Sequence, residues 1–378
     1  MNASLVALVR RWPLALGLVL AAVILPGRAP AGPAPLLTPP ASNLPVRPVY
    51  VFGKDDRIAL PQELEALKYK IGLIYSANTK HGCTATCVAR DVILTAAHCV
   101  LSRSSRKRGV ETSGFKFVLP GKYLKGEYII ADVLNPDDYT PRNVVSGFPV
   151  TRAQAGGGKS KDWALVKLAS KACRYGSLPL RSFSRKQFRA ASKAGKLMEI
   201  AFHGDRDYGK TLLYTNKCRL LRLGKSKRGR PAPSLIRHQC DLTSGASGSP
   251  LLIDTADGPF IAAVNVAEFA TQRYLRRGRK VIKYYKKVPA YNLAIHASVF
   301  EDRLKQIAPL KVVSMKSALE RIQTGLKARG LYRGKIDGVF GPATWSALRT
   351  FERRQKRLPL GLPTSRLLRE LDRKPPES

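Results

Sequence analysis

The sequence predicts a mainly β domain followed by a small C-terminal helical domain, and three observations carry this. Between about residue 70 and residue 300, short runs rich in Val, Ile, Leu and Tyr alternate with Gly, Pro, Asp and Asn turns; examples are "IGLIYS", "DVILTAA", "WALVKL" and "FIAAVNV". Many short strands at such spacing suggest a sandwich or barrel. From Met315 the period changes: Met315, Leu319, Ile322 and Leu326 step by four, three and four, the spacing of an amphipathic helix. The length of 378 residues allows two or three domains, and 44% hydrophobic residues suffice for a sizeable core.

Taken in order, residues 1–31 read as a signal peptide. Arg10 and Arg11 form a positive start, an apolar run from Trp12 to Leu25 follows, and Ala29-Pro30-Ala31 is an A-x-A cleavage pattern. The run is short for a bilayer span, and an uncleaved N-terminal anchor is the alternative. Residues 32–69 are a Pro-rich linker and lead-in. The β domain takes residues 70–307 and closes with a helix around Glu301 to Ile307. Residues 308–314 are a linker, and residues 315–374 the helical domain. Gly330 stops the first helix, Pro342 opens a second whose Trp345, Leu348 and Phe351 share a face, and a third starts at Thr364 with Leu367, Leu368 and Leu371 inward. No transmembrane segment follows the leader.

The formal net charge is +40. Such an excess is either a solvated basic surface or an attraction to polyanions. No nucleic-acid-binding motif accompanies it, so anionic envelope polymers are the expected partners and nucleic acid is not. Export makes an even cysteine count read as disulfides. Cys83 and Cys87 are close, but no second ligand pair follows, so no metal and no cofactor is expected.

Three separated pieces carry chemistry. "VILTAAHCV" ends a strand at His98, "KDWALVKL" starts one at Asp162, and "CDLTSGASGSP" holds Ser244, Ser247 and Ser249 among glycines. Each alone has a bland reading, since a lone histidine is usually structural and a lone Asp before a strand is usually a turn residue. Together, in this order, they meet one chemical need. A serine hydroxyl needs an imidazole to take its proton, and the imidazole needs a carboxylate to fix its tautomer. The oxyanion that forms needs backbone N–H donors aimed at it in advance.

"LTAAHC", "DWALVKL" and "GASGSP" resemble the trypsin-like serine proteases, specifically the bacterial branch ending Ser-Gly-Ser-Pro that includes glutamyl endopeptidases. The resemblance implies a chymotrypsin-like double β-barrel that hydrolyses protein or peptide substrates, with the site in the cleft between barrels. It implies His98 as general acid/base, Asp162 as its orienting carboxylate, Ser247 as nucleophile, and the N–H groups of Gly245 and Ser247 as the oxyanion hole. It also implies disulfides Cys83–Cys99 and Cys218–Cys240, leaving Cys87 and Cys173 as a third bridge or as two buried thiols. Two departures stand out. Ala246 precedes the nucleophile where trypsin carries the acid of its activation switch, so the site is expected either to need no trypsin-style activation or to be formed by other contacts. Asp241 falls at the pocket position of trypsin's acid, with local backbone hydrogen bonding as the alternative. Asn265 stands where glutamyl enzymes carry a pocket histidine, which does not support a Glu preference.

"GLYRGKIDGVFGPATWSAL" resembles the small peptidoglycan-binding domain of bacterial wall enzymes, with Glu352 departing from the family's glutamine. Asp337 in its loop is expected to bond local backbone. The combined expectation is a secreted or periplasmic, envelope-associated serine endopeptidase with peptidoglycan as the tail's ligand. The alternative is a non-enzymatic envelope-binding protein on a protease-like scaffold.

Overall fold

The structure is a computed structural model. It describes residues 51–76, 81–101, 115–122, 128–133, 142–148, 159–206, 210–221, 234–277 and 280–373, without the side chains of residues 76, 81 and 270–289. The expected leader and most of the Pro-rich linker lie outside the described residues.

Fifteen strands are described: β1 (Ile58–Ala59), β2 (Ile71–Ser76), β3 (His81–Ala89), β4 (Val92–Thr95), β5 (Phe115–Pro120), β6 (Tyr128–Asp132), β7 (Val144–Ser146), β8 (Ala164–Lys167), β9 (Leu197–Phe202), β10 (Leu212–Thr215), β11 (Arg219–Leu220), β12 (Leu235–Gln239), β13 (Pro250–Thr255), β14 (Gly258–Arg277) and β15 (Lys280–His296). They form two curled antiparallel sheets, the two-barrel architecture expected from the resemblance. One sheet runs β6-β5-β2-β3-β4-β8-β7 and the other β1-β10-β9-β13-β14-β15-β12-β11. Sequence pattern sets which faces are buried. β5, "FKFVLP", alternates between buried and half-buried residues, as a strand with one face on the core must. β4, "VILT", is buried throughout and lies between β3 and β8. Ile71, Ile74, Ile93, Leu94, Phe117 and Leu165 fill one continuous core, with Trp163 packed against Phe300 at 5.7 Å.

The β domain begins earlier than residue 70. Residues 51–69, expected as lead-in, add β1 to the edge of β10 through Ile58↔Tyr214 and form a helical segment, Gln62–Tyr69. One α-helix, α1 (Arg185–Lys193), was not foreseen among the strands. Its signal was present in the sequence, because Ser184 and Gln187 make a reciprocal capping box. The closing helix is α2 (Glu301–Ile307).

The tail has three helices, α3 (Lys316–Ala328), α4 (Pro342–Arg354) and α5 (Ser365–Leu371). Leu319, Ile322 and Leu326 are fully buried, whereas Met315 stands just before α3 and is 68% exposed. The periodicity therefore started one residue too early. Residues 308–314, expected as a linker, are tied at both ends. Val313 N donates to Pro363 O at 2.8 Å, Ser365 N to Lys311 O at 2.9 Å, and Arg142 Nη1 to Ser314 O at 2.7 Å. Leu360 and Leu362 of the tail join the core of the β domain, so the tail is packed onto that domain.

Candidate active site

His98 follows β4 on a short 3-10 turn, Ala97–Cys99. Its backbone N–H donates to Asp162 Oδ1 at 2.9 Å, and its ring Nδ1 lies 2.9 Å from Asp162 Oδ2. Asp162 precedes β8, which pairs with β4 through Thr95↔Ala164, so the strand ladder itself brings the two residues together. Asp162 is buried, while the His98 side chain is 30% exposed. A carboxylate so placed favours the ring proton on Nδ1 and an unprotonated Nε2. The Cys83–Cys99 disulfide fastens β3 to this turn. Its sulfurs lie near the His98 ring, but being bonded to each other they offer no thiolate to a metal.

Ser247 arrives from the other sheet, on the loop between β12 and β13. Glycine lets this loop press against the first sheet. Gly248 has φ +85°, and a Cβ there would lie 2.2 Å from Thr95 Oγ1 and 2.3 Å from Thr84 O, at the end of β4 beside His98. Gly245 has φ +102° and would meet Phe202 O at 3.0 Å. Both conformations favour glycine. Thr84 is the hinge pin between the sheets. Its N–H donates to Ser247 O at 2.9 Å, its hydroxyl donates to Gly245 O at 2.9 Å, and the same oxygen accepts from Phe202 N at 3.1 Å. No sequence signal singles Thr84 out, because its role depends on a strand meeting a loop about 160 residues away.

Around Ser247, three other donors are committed. Ala246 N donates to Thr243 O at 3.0 Å, Gly248 N to Asn265 O at 2.8 Å and Ser249 N to Ala246 O at 3.0 Å. The N–H groups of Gly245 and Ser247 make no hydrogen bond among the described residues. Two uncommitted backbone donors thus stand at and beside a half-buried serine. Ser247 Oγ makes no hydrogen bond among the described residues, to His98 included. Such bonds often tighten only around a substrate.

Environment separates the three serines. Ser244 is exposed. Ser249 is fully buried, donating to Glu199 Oε1 at 2.6 Å and accepting from Asn265 Nδ2 at 2.9 Å. Only Ser247 combines partial exposure with neighbouring free donors.

Ala246 is buried with Ala201 and Leu242 in a small apolar nest. The loop is braced instead from the N-terminal side. Asp241, expected either as a pocket floor or as a locally bonded turn residue, has its carboxylate occupied from a distance. Phe52 N donates to Oδ1 at 2.7 Å and Asp56 N to Oδ2 at 3.2 Å, from 189 and 185 residues away. Beside it, Arg57 grips Asp205 with bonds of 2.9 and 2.7 Å and Asp55 with bonds of 2.9 and 2.8 Å. Thr243 of the loop donates to Asp205 Oδ1 at 2.6 Å. Local sequence cannot disclose that residues 51–57 fold over this loop.

Behind the loop lies a buried polar chain that sequence reading missed. Glu199, at the centre of the otherwise apolar β9, holds Ser249, and its Oε2 stands 4.0 Å from His203 Nε2. Burial pushes Glu199 up to about 8 and His203 down to about 3, so both are neutral between those values. His238, beneath Asn265, is likewise pushed down to about 4 by burial. The one visible clue was a glutamate inside "LMEIAF". Disulfide Cys218–Cys240 braces the loop's start, while Cys87–Cys173, the pair left open by sequence, ties β3 to the segment after β8.

The two curled sheets, with the nucleophile loop of one meeting the His98 turn of the other, have the architecture of the chymotrypsin fold. Residues 83–262 match the family model of the trypsin-like peptidase domain, and residues 316–369 match that of a peptidoglycan binding domain. The chain thus carries a trypsin-like peptidase domain followed by a peptidoglycan-binding domain. A solved structure of a Glu endopeptidase is similar at 18% identity, covering 68% of this chain and 98% of that one with a TM-score of 0.42. No curated protein matches the chain. No helix among the described residues is long and apolar enough to cross a membrane.

Proposed function

We propose that the protein is an exported bacterial serine endopeptidase, held at the cell wall by its tail, that works through an acyl-enzyme on Ser247. The observation that carries this reading is the pair of uncommitted N–H groups, of Gly245 and Ser247, on a loop pressed against the turn that bears the Asp162-held His98. In this reading His98 Nε2 takes the serine proton and returns it to the leaving amine, while Asp162 stabilises the imidazolium. The two N–H groups receive the oxyanion, a contribution on the order of 3 kcal/mol per donor. Asp241 serves as an anchor for residues 52–56 and not as a receptor for a substrate's Lys or Arg, since a basic side chain would have to displace two backbone donors. Export and envelope residence are supported by three disulfides and by the peptidoglycan-binding match.

The test is covalent labelling. A fluorophosphonate probe should modify wild-type protein at Ser247 by mass spectrometry, and Ser247→Ala should abolish both labelling and peptide cleavage. A folded wild-type protein that takes no label, or takes it elsewhere, overturns the proposal. Retention of the full chain on purified wall, lost when residues 315–374 are removed, tests the targeting half.

A further inference from the structure

The longest strands of the molecule outrun their sheet. β13 follows β14 only as far as Pro250↔Val264, and β12 follows β15 only from Leu235↔Ile295 to His238↔Asn292. Beyond that point β14 and β15 pair with each other alone, out to Arg277↔Lys280. The β14 edge is open from Val266 and the β15 edge beyond Asn292, so the two-stranded ribbon runs from Phe269 to Arg277, about 30 Å at ~3.3 Å per residue. Neither outer edge pairs with another strand among the described residues. Its root is stiff, with Phe269 stacked on Tyr291 at 4.8 Å and the Arg237 guanidinium 4.5 Å from the Tyr291 ring centre.

The ribbon leaves the sheet at the nucleophile loop. Asn265 accepts from Gly248 N at 2.8 Å and donates its own N–H to Ser249 O at 2.9 Å. The open edge of β14 therefore begins one residue past a strand position bonded to the two residues that follow Ser247.

The sequence of the ribbon is one-sided in charge. "RYLRRGRKVIKYYKK", residues 273–287, holds eight Lys and Arg and no Asp or Glu. The register sets Arg277 opposite Lys280, and like charges facing each other weaken a ladder. A two-stranded ribbon is marginal in water even without that repulsion. A general solubilising charge has no need to collect on the element least able to tolerate it.

We propose that this ribbon is an exosite for acidic polypeptide substrates. A substrate strand adds to the open edge of β14 by backbone hydrogen bonds, and its Asp and Glu residues are matched by the ribbon's cations. Because the edge starts beside Ser247, one extended chain reaches both the ribbon and the nucleophile. The ribbon thus selects substrates with an acidic run within about ten residues of the cleaved bond. This rests on the peptidase reading of Ser247. A two-stranded basic ribbon can also enter a nucleic-acid groove, but the continuity of its edge with the nucleophile loop favours a polypeptide.

The experiment uses the full chain and two labelled peptides of about twelve residues, one with a Glu block and one with Gln in its place, the block set on either side of the scissile bond. Fluorescence anisotropy with Ser247→Ala reads binding, and wild-type kcat/KM reads cleavage. The Glu peptide should bind and be cleaved at least about ten-fold better at low salt, and the preference should vanish at about 0.5 M salt. It should also vanish in the combined variant Arg276→Ser, Arg277→Ser, Lys280→Ser, Lys283→Ser, with circular dichroism confirming that the variant is folded. Equal binding of the two peptides, or an undiminished preference in the variant, overturns the proposal. So does tighter binding of a DNA duplex than of the Glu peptide, lost in the same variant, which would assign the ribbon to nucleic acid. If the binding preference and its loss are seen but neither peptide is cut and Ser247 takes no probe, the peptidase reading fails and the ribbon's ligand class stands.

Discussion

Two buried polar centres, one behind the nucleophile loop and one in the tail, handle the same physical problem in opposite ways. In the tail, Gln323 is fully buried on α3 and both ends of its amide are engaged. Its Oε1 accepts from Asp337 N at 3.0 Å and Gly338 N at 2.9 Å, and its Nε2 reaches Asp337 Oδ1 at 2.9 Å and Val339 O at 3.1 Å. Behind the nucleophile loop, Glu199 Oε2 and His203 Nε2 face each other at 4.0 Å, too far for a hydrogen bond, and Asn292 Oδ1 is buried without a hydrogen-bond partner among the described residues. An unsatisfied buried polar group costs about 1–3 kcal/mol. The tail's loop is a closed structural knot, whereas the peptidase core tolerates open valences where it supports Ser247. A fully satisfied network specifies one conformation, and unsatisfied groups concentrate where a protein gives up stability for a site.

The comparison can be broken most severely at Gln323. Gln323→Leu leaves Asp337 N and Gly338 N without their acceptor, and should destabilise the tail by about 4 kcal/mol. Limited proteolysis and thermal unfolding should show residues 315–373 opening before the β domain. Next comes Gly248→Ala, whose Cβ would collide with Thr84 O and Thr95 Oγ1. A loss of about 3 kcal/mol and a fall of about a hundred-fold in Ser247 labelling are expected, because the strain falls on the loop itself.

Glu199→Gln sharpens the contrast through pH. The folded-state value of Glu199, about 8, lies above its ordinary 4.5, so the folded protein holds a proton that the unfolded chain releases. Stability from this group therefore falls as pH rises from about 4.5 to 8. Glutamine keeps an acceptor for Ser249 and carries no charge, so the variant should gain on the order of 2 kcal/mol at pH 8. In the tail, Glu352 is raised to about 7 by burial and imposes the same slope up to that pH. It accepts from Gly361 N at 2.7 Å, and glutamine, the residue its family commonly has there, keeps that bond. Urea unfolding between pH 5 and pH 9 should show a residual alkaline loss ending near 7 in Glu199→Gln. The acid-side loss should be unchanged, because His203 and His238, held below their ordinary 6.5, still disfavour protonation when folded.

The smallest effect belongs to the hinge pin. Thr84→Val removes the hydroxyl between Gly245 O and Phe202 N while keeping the side chain's shape. A cost of about 1–2 kcal/mol and a labelling rate reduced by about ten-fold are expected. An unchanged rate would show that the glycines alone shape the loop.

Much of this was legible before any coordinates. The alternating runs gave the strands, and β4 and β8 were visible as "VILT" and "ALVK". In the tail, Gly330 does follow α3, with φ +66°, Pro342 opens α4 and Thr364 caps α5. Asp337 bonds Val339 N at 2.9 Å, the local backbone contact expected of it. The unread residues share a trait: Thr84, Arg57, Glu199 and Gln323 each have ordinary neighbours in sequence. Each has a decisive partner on another strand or loop, 14 residues away for Gln323 and Asp337, 50 for Glu199 and Ser249, 148 for Arg57 and Asp205 and 161 for Thr84 and Gly245.

Residue type and spacing determined that strands precede helices, and the family resemblance of three short pieces singled out His98, Asp162 and Ser247. These are properties of local chemistry and periodicity, which need no partner to be read. Only the tertiary structure decided that Asp241 anchors Phe52 and Asp56, that Ser249 is buried on Glu199, and that the basic ribbon starts beside the nucleophile loop. The reason is that a hydrogen bond or a strand edge is shared by two segments, and which segments meet is settled by packing.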